Sequence, residues 1–325
     1  MNAKSILSLL SYKQLRMLGK ILPEKYLDFI TRMGISKFVN SKAFLEYSAK
    51  GKELRKIQQG EFPFPLFQIY FMESMISLCI YCMYHDCVPI IDFISNDGVN
   101  LWNQFLEQPF DSSNTADSSN VKPCDTCIPM FSFPLFPTDK DVKAIHEIYN
   151  RFLKFNSTAT TYFNNEYLSI ISDKKVLGVL CRGTDYTHNK PKGHPVQPSI
   201  QDLISKVRCE LINQDCDYIY LATEESRIME LFNKEFPNIV LTNTRHYYDE
   251  FYTFAKNAGA DARISWVHHE RENDNYWKSL EYMSSINILS KCKALVAGNC
   301  GGSRAALYLN GGKYTYWYLF NLGVY

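Results

Sequence analysis

An apolar run at residues 176–181 ends directly in Arg182, Gly183, Thr184 and Asp185. The planar fork of an arginine matches paired phosphate oxygens, so a guanidinium here could hold a phosphorylated ligand. A glycine beside it lets a ligand approach the backbone closely. The stretch therefore predicts a strand whose tip carries a phosphate-binding arginine.

A second apolar run, YIYLA at residues 218–222, is followed by Thr223, Glu224 and Glu225. Carboxylates suit the hydroxyl groups of a ribose or the edge of a base better than they suit phosphate. A single carboxylate can accept the N1–H and N2–H₂ donors of guanine together, and uracil and adenine offer no such pair. These glutamates therefore predict recognition of the nucleoside.

A third apolar run, ALVAG at residues 294–298, leads through a turn of small residues into a helix. The start of that helix contains Gly301, Gly302, Ser303 and Arg304. The free N–H groups and the dipole at a helix N-terminus favour a phosphate. This turn therefore predicts a second contact to the same anionic group.

The elements that must position these stretches are strands alternating with helices from residue 174 onward. The predicted strands are 176–181, 218–222, 238–242 and 294–298. This alternation predicts a parallel sheet wound on both faces, a Rossmann-like fold. Ligands bind at the carboxyl ends of such strands, so the three stretches should lie on one edge and form a site for a nucleoside diphosphate.

The first half of the chain is typical of a looser α/β domain. After Lys56 the pattern predicts a loop, then a long apolar helix, then a strand at Val88–Phe93 and an aromatic turn in LWNQFLEQPF. A further helix should begin at Pro137-Thr138, and Asp111–Pro123 should form a surface loop. We expect three segments: a basic helical segment at 1–56, an acceptor-side α/β domain at 57–172 and a donor-binding domain at 173–325.

Composition excludes several classes of protein. The 325 residues are 46% hydrophobic and 21% charged, which is typical of a globular chain. The sequence has neither the G-x-G-x-x-G fingerprint of dinucleotide enzymes nor a Walker-type phosphate loop, and the three stretches contain no D-x-D pair for a metal. No signal peptide or membrane-spanning run is evident, so we expect a cytoplasmic protein.

The ten cysteines favour buried, reduced thiols, as at Cys79, Cys82, Cys181 and Cys209. Two pairs have C-x-x-C spacing, Cys79/Cys82 on a predicted helix and Cys124/Cys127 in a loop. A zinc ribbon needs two such pairs on turns, so the helical pair is a poor half-site. We therefore expect no bound metal.

Charge is unevenly distributed along the chain. Residues 1–60 contain twelve Lys or Arg against four Asp or Glu, whereas the remainder is acidic. Apolar residues from Ile6 to Leu22 could line one face of a helix, which predicts either a peripheral contact of residues 1–56 with an anionic membrane or packing on the chain's own domain. The acidic remainder argues against a nucleic-acid partner.

Taken in order, these stretches resemble the three motifs of the α1,2/α1,6/protein-O-fucosyltransferase superfamily. LCRGTD at 180–185, followed by His194-Pro195, resembles the first motif. ATEE at 222–225 resembles the second, and LSKCKALV at 289–296 with the turn after it resembles the third. QGEFPFPLFQIYFMESM and LWNQFLEQPF are weaker echoes in the first half, so the resemblance covers about residues 58–312.

The resemblance implies two Rossmann-like domains facing a cleft, the GT-B glycosyltransferase architecture. It implies transfer of fucose from GDP-fucose to a glycan hydroxyl, with inversion and without metal or cofactor. Arg182 takes the place of the essential arginine, and we assign Asp185 as its catalytic partner. The implied donor-binding residues are Arg182, Gly183, His194, Thr223, Glu224, Glu225, Gly301, Gly302, Ser303 and Arg304.

The sequence departs from the family pattern at three positions. Cys181 and Gly183 stand where the first motif has a histidine and a second arginine, and Lys190 stands where the core α1,6 enzymes have the acid proposed as general base. A lysine could act as a base only with a strongly lowered pKa. The other candidates for the base are Asp185, His188, Glu107 and Asp97, and Asp185 could equally be a structural cap of its loop.

Two other functions stay open at this point. One is a transferase of the same fold that uses another nucleotide sugar. The other is a non-catalytic glycan-binding scaffold, which the missing second arginine and missing acid would suit. For an enzyme, a cytoplasmic location with possible membrane association suits a glycan or lipid-linked glycan acceptor in surface polysaccharide synthesis.

Overall fold

The structure is a computed structural model. It describes residues 27–48, 52, 54–62, 76, 79–80, 82–83, 87–95, 98–110, 122–123, 133–258 and 262–325. Within these residues the chain divides into two compact units, the first ending at Asn156 and the second formed by Ser157–Tyr325. The predicted segment boundaries at 56 and 172 stay predictions.

The first unit contains a three-stranded parallel sheet in the order β2-β1-β3. Its strands are β1 (Leu54–Phe62), β2 (Val88–Ser95) and β3 (Lys122–Pro123). The strand predicted at Val88–Phe93 is confirmed. The prediction of a loop after Lys56 is wrong for residues 57–62, which belong to β1. This polar stretch has little strand propensity of its own, and it forms a strand because it pairs with β2.

Four helices of the first unit have described bounds. They are α1 (Leu27–Val39), α2 (Lys42–Leu45), α3 (Leu101–Phe105) and α4 (Asp139–Phe152). The start predicted for α4 is confirmed, since the Thr138 side chain and Asp141 form a capping box. The turn predicted at 101–105 is instead a short helix, which buries Trp102 and Phe105. Ile76, Cys79, Ile80, Cys82 and Met83 are helical and buried, as predicted for that apolar segment.

The described part of the basic segment packs on its own unit. Arg32 in α1 pairs with Asp141 in α4 and donates a hydrogen bond to the Phe136 carbonyl at 2.7 Å. This favours the packed alternative for α1. The amphipathic pattern at Ile6–Leu22, most of the loop at Asp111–Pro123, the Cys124/Cys127 pair and Asp97 lie outside the described residues.

The second unit contains a five-stranded sheet, all parallel, in the order β6-β5-β4-β7-β8. The strands are β4 (Val176–Cys181), β5 (Tyr218–Thr223), β6 (Val240–Leu241), β7 (Ala294–Ala297) and β8 (Tyr316–Leu319). The predicted parallel sheet is confirmed. Every residue of β4 and β7 is buried, which explains why these strands are unbroken apolar runs in the sequence. β6 is shorter than predicted, and β8 was not predicted.

The strand order places a reversal between β4 and β7. From β4 the chain proceeds outward through β5 to β6, and it then crosses to the other side of β4 for β7 and β8. The two carboxyl ends are neighbours, because the Gly298 amide donates to the Leu180 carbonyl at 3.1 Å. In open α/β sheets such a switch point is where ligands bind.

Helices cover this sheet. They are α5 (Ser157–Ile170), α6 (Thr184–Asn189), α7 (Ile200–Asn213), α8 (Ser226–Glu235), α9 (Phe251–Ala258), α10 (Asp274–Ser290) and α11 (Gly301–Asn310). Ser199 is the N-cap of α7, since its hydroxyl accepts from the Asp202 amide at 3.1 Å. The residues after β4, predicted as a loop, begin instead with the short helix α6.

The core of the second unit lies between the sheet and helices α7 and α8. Leu177, Val179, Ile219 and Leu221 pack in one buried cluster with residues from both helices. Cys79, Cys82 and Cys181 are buried as predicted, but Cys209 is exposed. The latter prediction is wrong because position 209 lies on the solvent side of α7, whereas Leu203 and Val207 face the core.

No helix in the described residues is long and apolar enough to cross a membrane.

The core prediction can be tested with two isoleucines of the second unit. Ile219 is fully buried in β5, and Ile212 is 77% exposed near the end of α7. Ile219→Ala should lower the free energy of unfolding by about 2–5 kcal/mol, because it leaves a cavity. Ile212→Ala should change it by less than about 0.5 kcal/mol. Urea unfolding followed by circular dichroism measures both, and equal losses would contradict the packing.

Candidate functional site

Arg182 directly follows β4 at the switch point, and two acidic side chains bind its guanidinium. Its Nη2 donates to Asp185 Oδ1 at 2.9 Å, and its Nη1 pairs with the Glu224 carboxylate. The guanidinium carbon lies 5.0 Å from the ring centroid of Tyr186. Burial works against the charged form, but the nearby Asp185, Cys300, Tyr282 and Tyr186 together outweigh it and raise the pKa of Arg182. The guanidinium is therefore permanently charged and fixed in orientation.

The two predicted glutamates bind the backbone and side chain of the residue after Gly183. Glu224 Oε2 accepts from the Thr184 hydroxyl at 3.1 Å, and Glu225 Oε1 accepts from the Thr184 amide at 2.7 Å. The Tyr252 hydroxyl also donates to Glu225 Oε1, at 2.9 Å. Both glutamates are buried. They hold the start of α6 against the end of β5, and a guanine would have to share their oxygens with these bonds or replace them.

Gly183 is needed for this arrangement. A Cβ atom at this position would lie 1.8 Å from Glu225 Oε1. The following residue, Thr184, has a φ of +48°, in the left-handed region that costs a β-branched residue energy. The close approach predicted at Gly183 is therefore made by a carboxylate of the protein itself.

The small-residue turn after β7 opens α11 as predicted. Cys300 is the N-cap, and its amide donates to the Ser303 hydroxyl at 3.0 Å. Ser303 and Gly302 are buried, with Gly302 against the Tyr282 hydroxyl, whereas Gly301 and Arg304 are partly exposed. Ser303 thus caps the helix, and the first-turn backbone amides are the groups of this turn that suit an anion.

His194 lies beside Tyr186, the residue that covers Arg182. Its Nδ1 and the Tyr186 hydroxyl share a hydrogen bond of 2.8 Å, and the two rings meet edge to face at 5.3 Å. Burial and the nearby Arg304 lower the pKa of His194. This histidine therefore favours its neutral form and steadies the Tyr186 ring.

Gln197 ties the His194 loop to the turn after β7. Its Nε2 donates to the carbonyls of Pro195 at 3.0 Å and of Asn299 at 2.8 Å. A Cβ at Gly298 would lie 2.3 Å from Gln197 Oε1. Sequence reasoning missed Gln197, because a glutamine in a loop carries no signal of the contact it makes.

A small cavity of about 20 Å³ lies beside the ends of β4, β5 and β7, with room for about one water molecule. Residues that line it include Arg182, Glu224, Arg245, Tyr282, Ser285 and Cys300. Within the described residues, the Nε groups of Arg182 and Arg245 are buried without a hydrogen-bond partner. An unpaired buried donor costs about 1–3 kcal/mol, so both favour a bound acceptor.

Arg245 and Tyr282 were not predicted as site residues. Arg245 follows β6 in TNTR, so it could have been found by the same rule that selected Arg182, a cation just past the end of a parallel strand. The longer gap after β6 obscured that signal. Tyr282 lies inside α10, where an aromatic residue gives no sequence sign of facing a site.

The structure places the candidate bases differently. Asp185 accepts from Arg182 and, at 3.3 Å, from the Ile264 amide, which is the contact set of a positioning residue. His188 is exposed and lies edge to face on Phe251, with ring centroids 6.0 Å apart. Lys190 is exposed in a left-handed conformation after α6. Glu107 belongs to the first unit, so these contacts do not select one base.

Among the described residues, no group of three or more His, Cys, Asp or Glu side chains is arranged to hold a metal ion. Cys79 and Cys82 lie in a buried helix, where burial strongly raises the pKa of the Cys79 thiol. A protonated, buried thiol is a poor metal ligand.

The lowered pKa of His194 predicts a pH dependence of stability. Because the folded pKa lies below the unfolded value of 6.5, the unfolded chain binds the proton more readily between the two. The contribution of neutral His194 to the free energy of unfolding is present above about pH 6.5 and is lost as the pH falls toward the folded pKa. The melting temperature of the wild type should therefore drop more than that of His194→Gln between about pH 7.5 and about pH 5. Parallel curves would show that the histidine is not shifted.

No family model matches the chain, and no curated protein matches it. Similar solved structures include the NodZ alpha-1,6-fucosyltransferase soaked with GDP-fucose, which is 13% identical with a TM-score of 0.48, over 79% of this chain and 93% of that one. POFUT1 in complex with GDP-fucose is 9% identical with a TM-score of 0.44, over 86% and 99%. A mutant of Arabidopsis thaliana FUT1 in complex with GDP is 10% identical with a TM-score of 0.44, over 98% and 79%. The first of these proteins is named as a fucosyltransferase, the class of enzyme whose three motifs the sequence resembles.

Proposed function

We propose that this chain is a glycosyltransferase that moves fucose from GDP-fucose to a hydroxyl group of a glycan, with inversion and without a metal or cofactor. The observation that carries the proposal is the switch point of the second unit. There Arg182 and the N-terminus of α11 border one cavity at the carboxyl ends of neighbouring strands. The order and spacing of the three motifs support the choice of donor.

In this proposal, the site stabilises the charge that develops on the leaving group. As the bond between the sugar and the β-phosphate breaks, negative charge grows on the diphosphate. A guanidinium held by Asp185 and Glu224, together with the amides of α11, offsets that charge without reorganising. The acceptor hydroxyl must give its proton to a base, which stays open among Asp185, His188, Lys190, Glu107 and Asp97.

The cellular role is a further part of the proposal. A glycan or lipid-linked glycan acceptor in surface polysaccharide synthesis would suit a cytoplasmic enzyme, with residues 1–26 as the part of the basic segment that could contact a membrane.

One observation favours a second candidate, a transferase that uses another nucleotide sugar. Both glutamates expected to read guanine are buried, and each already accepts hydrogen bonds from Thr184. If these bonds persist when the donor is bound, neither carboxylate selects guanine. The diphosphate contacts would stay the same, since they do not depend on the base.

The choice of base can be tested by melting the protein with GDP, UDP, CDP and ADP in turn. A ligand at a hundredfold excess over its Kd stabilises the folded state by about 2.7 kcal/mol, a shift of a few degrees. We expect GDP to raise the melting temperature more than the other three. Equal shifts, or a larger shift with UDP, would favour the second candidate, and no shift at all would contradict a nucleotide site.

The role of Arg182 can be tested with a variant pair that separates chemistry from folding. Arg182→Ala should abolish fucose transfer, since one charge-stabilising donor is worth about 3 kcal/mol or more in the transition state. It should also lower the melting temperature, because Glu224 loses its partner while buried. Arg182→Ala/Glu224→Gln should recover the melting temperature but not the transfer.

Transfer is measured as GDP release with a glycan acceptor in excess EDTA, where the wild type should stay active. Activity in the double variant would contradict the role of Arg182, and dependence on added magnesium would contradict the metal-free reaction.

A further inference from the structure

Arg245 lies on the same cavity as Arg182 but comes from a different strand end. It follows β6, whereas Arg182 follows β4, and β5 lies between the two in the sheet. The cavity also includes Cys300, the N-cap of α11. One small space is therefore bordered by two guanidinium groups and by a helix N-terminus.

The two arginines differ in how their charge is balanced. Arg182 pairs with both Asp185 and Glu224, so that trio carries a net negative charge when both acids are ionised. Arg245 pairs with no acid in the described part of the chain. Within the described residues, its one hydrogen bond is a long contact of 3.4 Å from Nη1 to the Ser285 hydroxyl, and its Nε has no partner there. A diphosphate needs net positive charge, which Arg182 alone does not supply here.

A second partly buried arginine of this unit shows what a structural role looks like. Arg271 donates from Nε to Asp274 at 2.8 Å and pairs with Glu281. Its guanidinium nitrogens are bound by carboxylates of α10, in the same helix as the cavity-lining Tyr282. Arg245 packs close to the same helix but leaves its donors without such partners.

We propose that Arg245 is a ligand-binding residue that donates to the diphosphate of the nucleotide, together with the first-turn amides of α11. Arg182 then acts as the preorganised, acid-held guanidinium beside it. This inference rests on the proposed function, because it assigns one more contact within the same donor site.

The test measures binding with three probes by titration calorimetry at constant ionic strength: inorganic pyrophosphate, GDP and guanosine. Arg245→Ala should lower the affinity for pyrophosphate and for GDP by roughly 10- to 100-fold, the loss expected for one or two charge-assisted hydrogen bonds. Guanosine, which has no phosphate, should bind as it does to the wild type. Arg245→Lys should recover part of the loss, since it keeps the charge but not the fork.

Arg208→Ala is the matched control. Arg208 is an exposed arginine of α7 that pairs with Glu235 at 2.7 Å, away from the cavity. The Arg208→Ala variant should bind all three probes with the affinity of the wild type. Melting temperatures measured for all variants show whether each one is folded. Should Arg245→Ala prove poorly folded, Arg245→Lys carries the test, and its pyrophosphate affinity must still fall.

The outcomes separate this inference from the proposed function. If the wild type binds GDP and both Arg245 variants bind it equally well, Arg245 is not a phosphate ligand and the inference is wrong, while the donor site stands. If guanosine loses as much affinity as GDP, Arg245 acts on the nucleoside or on the fold, which also overturns the inference. If the wild type binds none of the probes, the proposed function falls with it.

Discussion

The hydrogen bonds and ion pair that join Glu224 and Glu225 to residues 182–184 are the interaction on which the candidate site depends. It joins the carboxyl ends of β4 and β5, fixes the guanidinium of Arg182 and sets the start of α6. This set of contacts requires a glycine at position 183, since a Cβ atom there would clash with the Glu225 carboxylate. The site is thus built from a buried polar network, in which losing one partner leaves another buried and unsatisfied.

This network limits what Arg182 alone can do for a bound anion. Two acids beside an arginine hold its orientation and its charge, but they also cancel that charge for any anion that arrives. Under the proposed function, electrostatic stabilisation of the diphosphate would then depend on the other groups around the cavity, namely the amides at the start of α11 and the guanidinium of Arg245. In that proposal, Arg182 supplies a fixed orientation and other groups supply the net positive charge, although the isolated motif suggests that one arginine supplies both.

The sequence predicted the parts of the structure that local pattern determines. The strands β4, β5 and β7 and the start of α4 at Thr138 depend on apolar runs and on contacts a few residues apart, and the structure confirms them. It did not predict β1, whose polar residues become a strand only by pairing with β2. Gln197 was missed for the same reason, since its contacts depend on how the whole fold places its loop. Arg245 was missed because a longer gap separates it from the end of β6.

The same limit applies to the reading of the glutamates. An acidic pair just past a parallel strand is placed where a ribose or base could meet it, and pattern alone cannot show that Thr184 occupies both carboxylates. If those bonds persist when the proposed donor is bound, recognition of its base must come from backbone groups or from side chains outside the network. In the proposed enzyme, selection of the base would then be a property of the surrounding loops, whereas binding of the diphosphate would belong to the sheet edge. A chain built this way could change its nucleotide sugar by altering loops, while the strand ends that hold the phosphates stayed as they are.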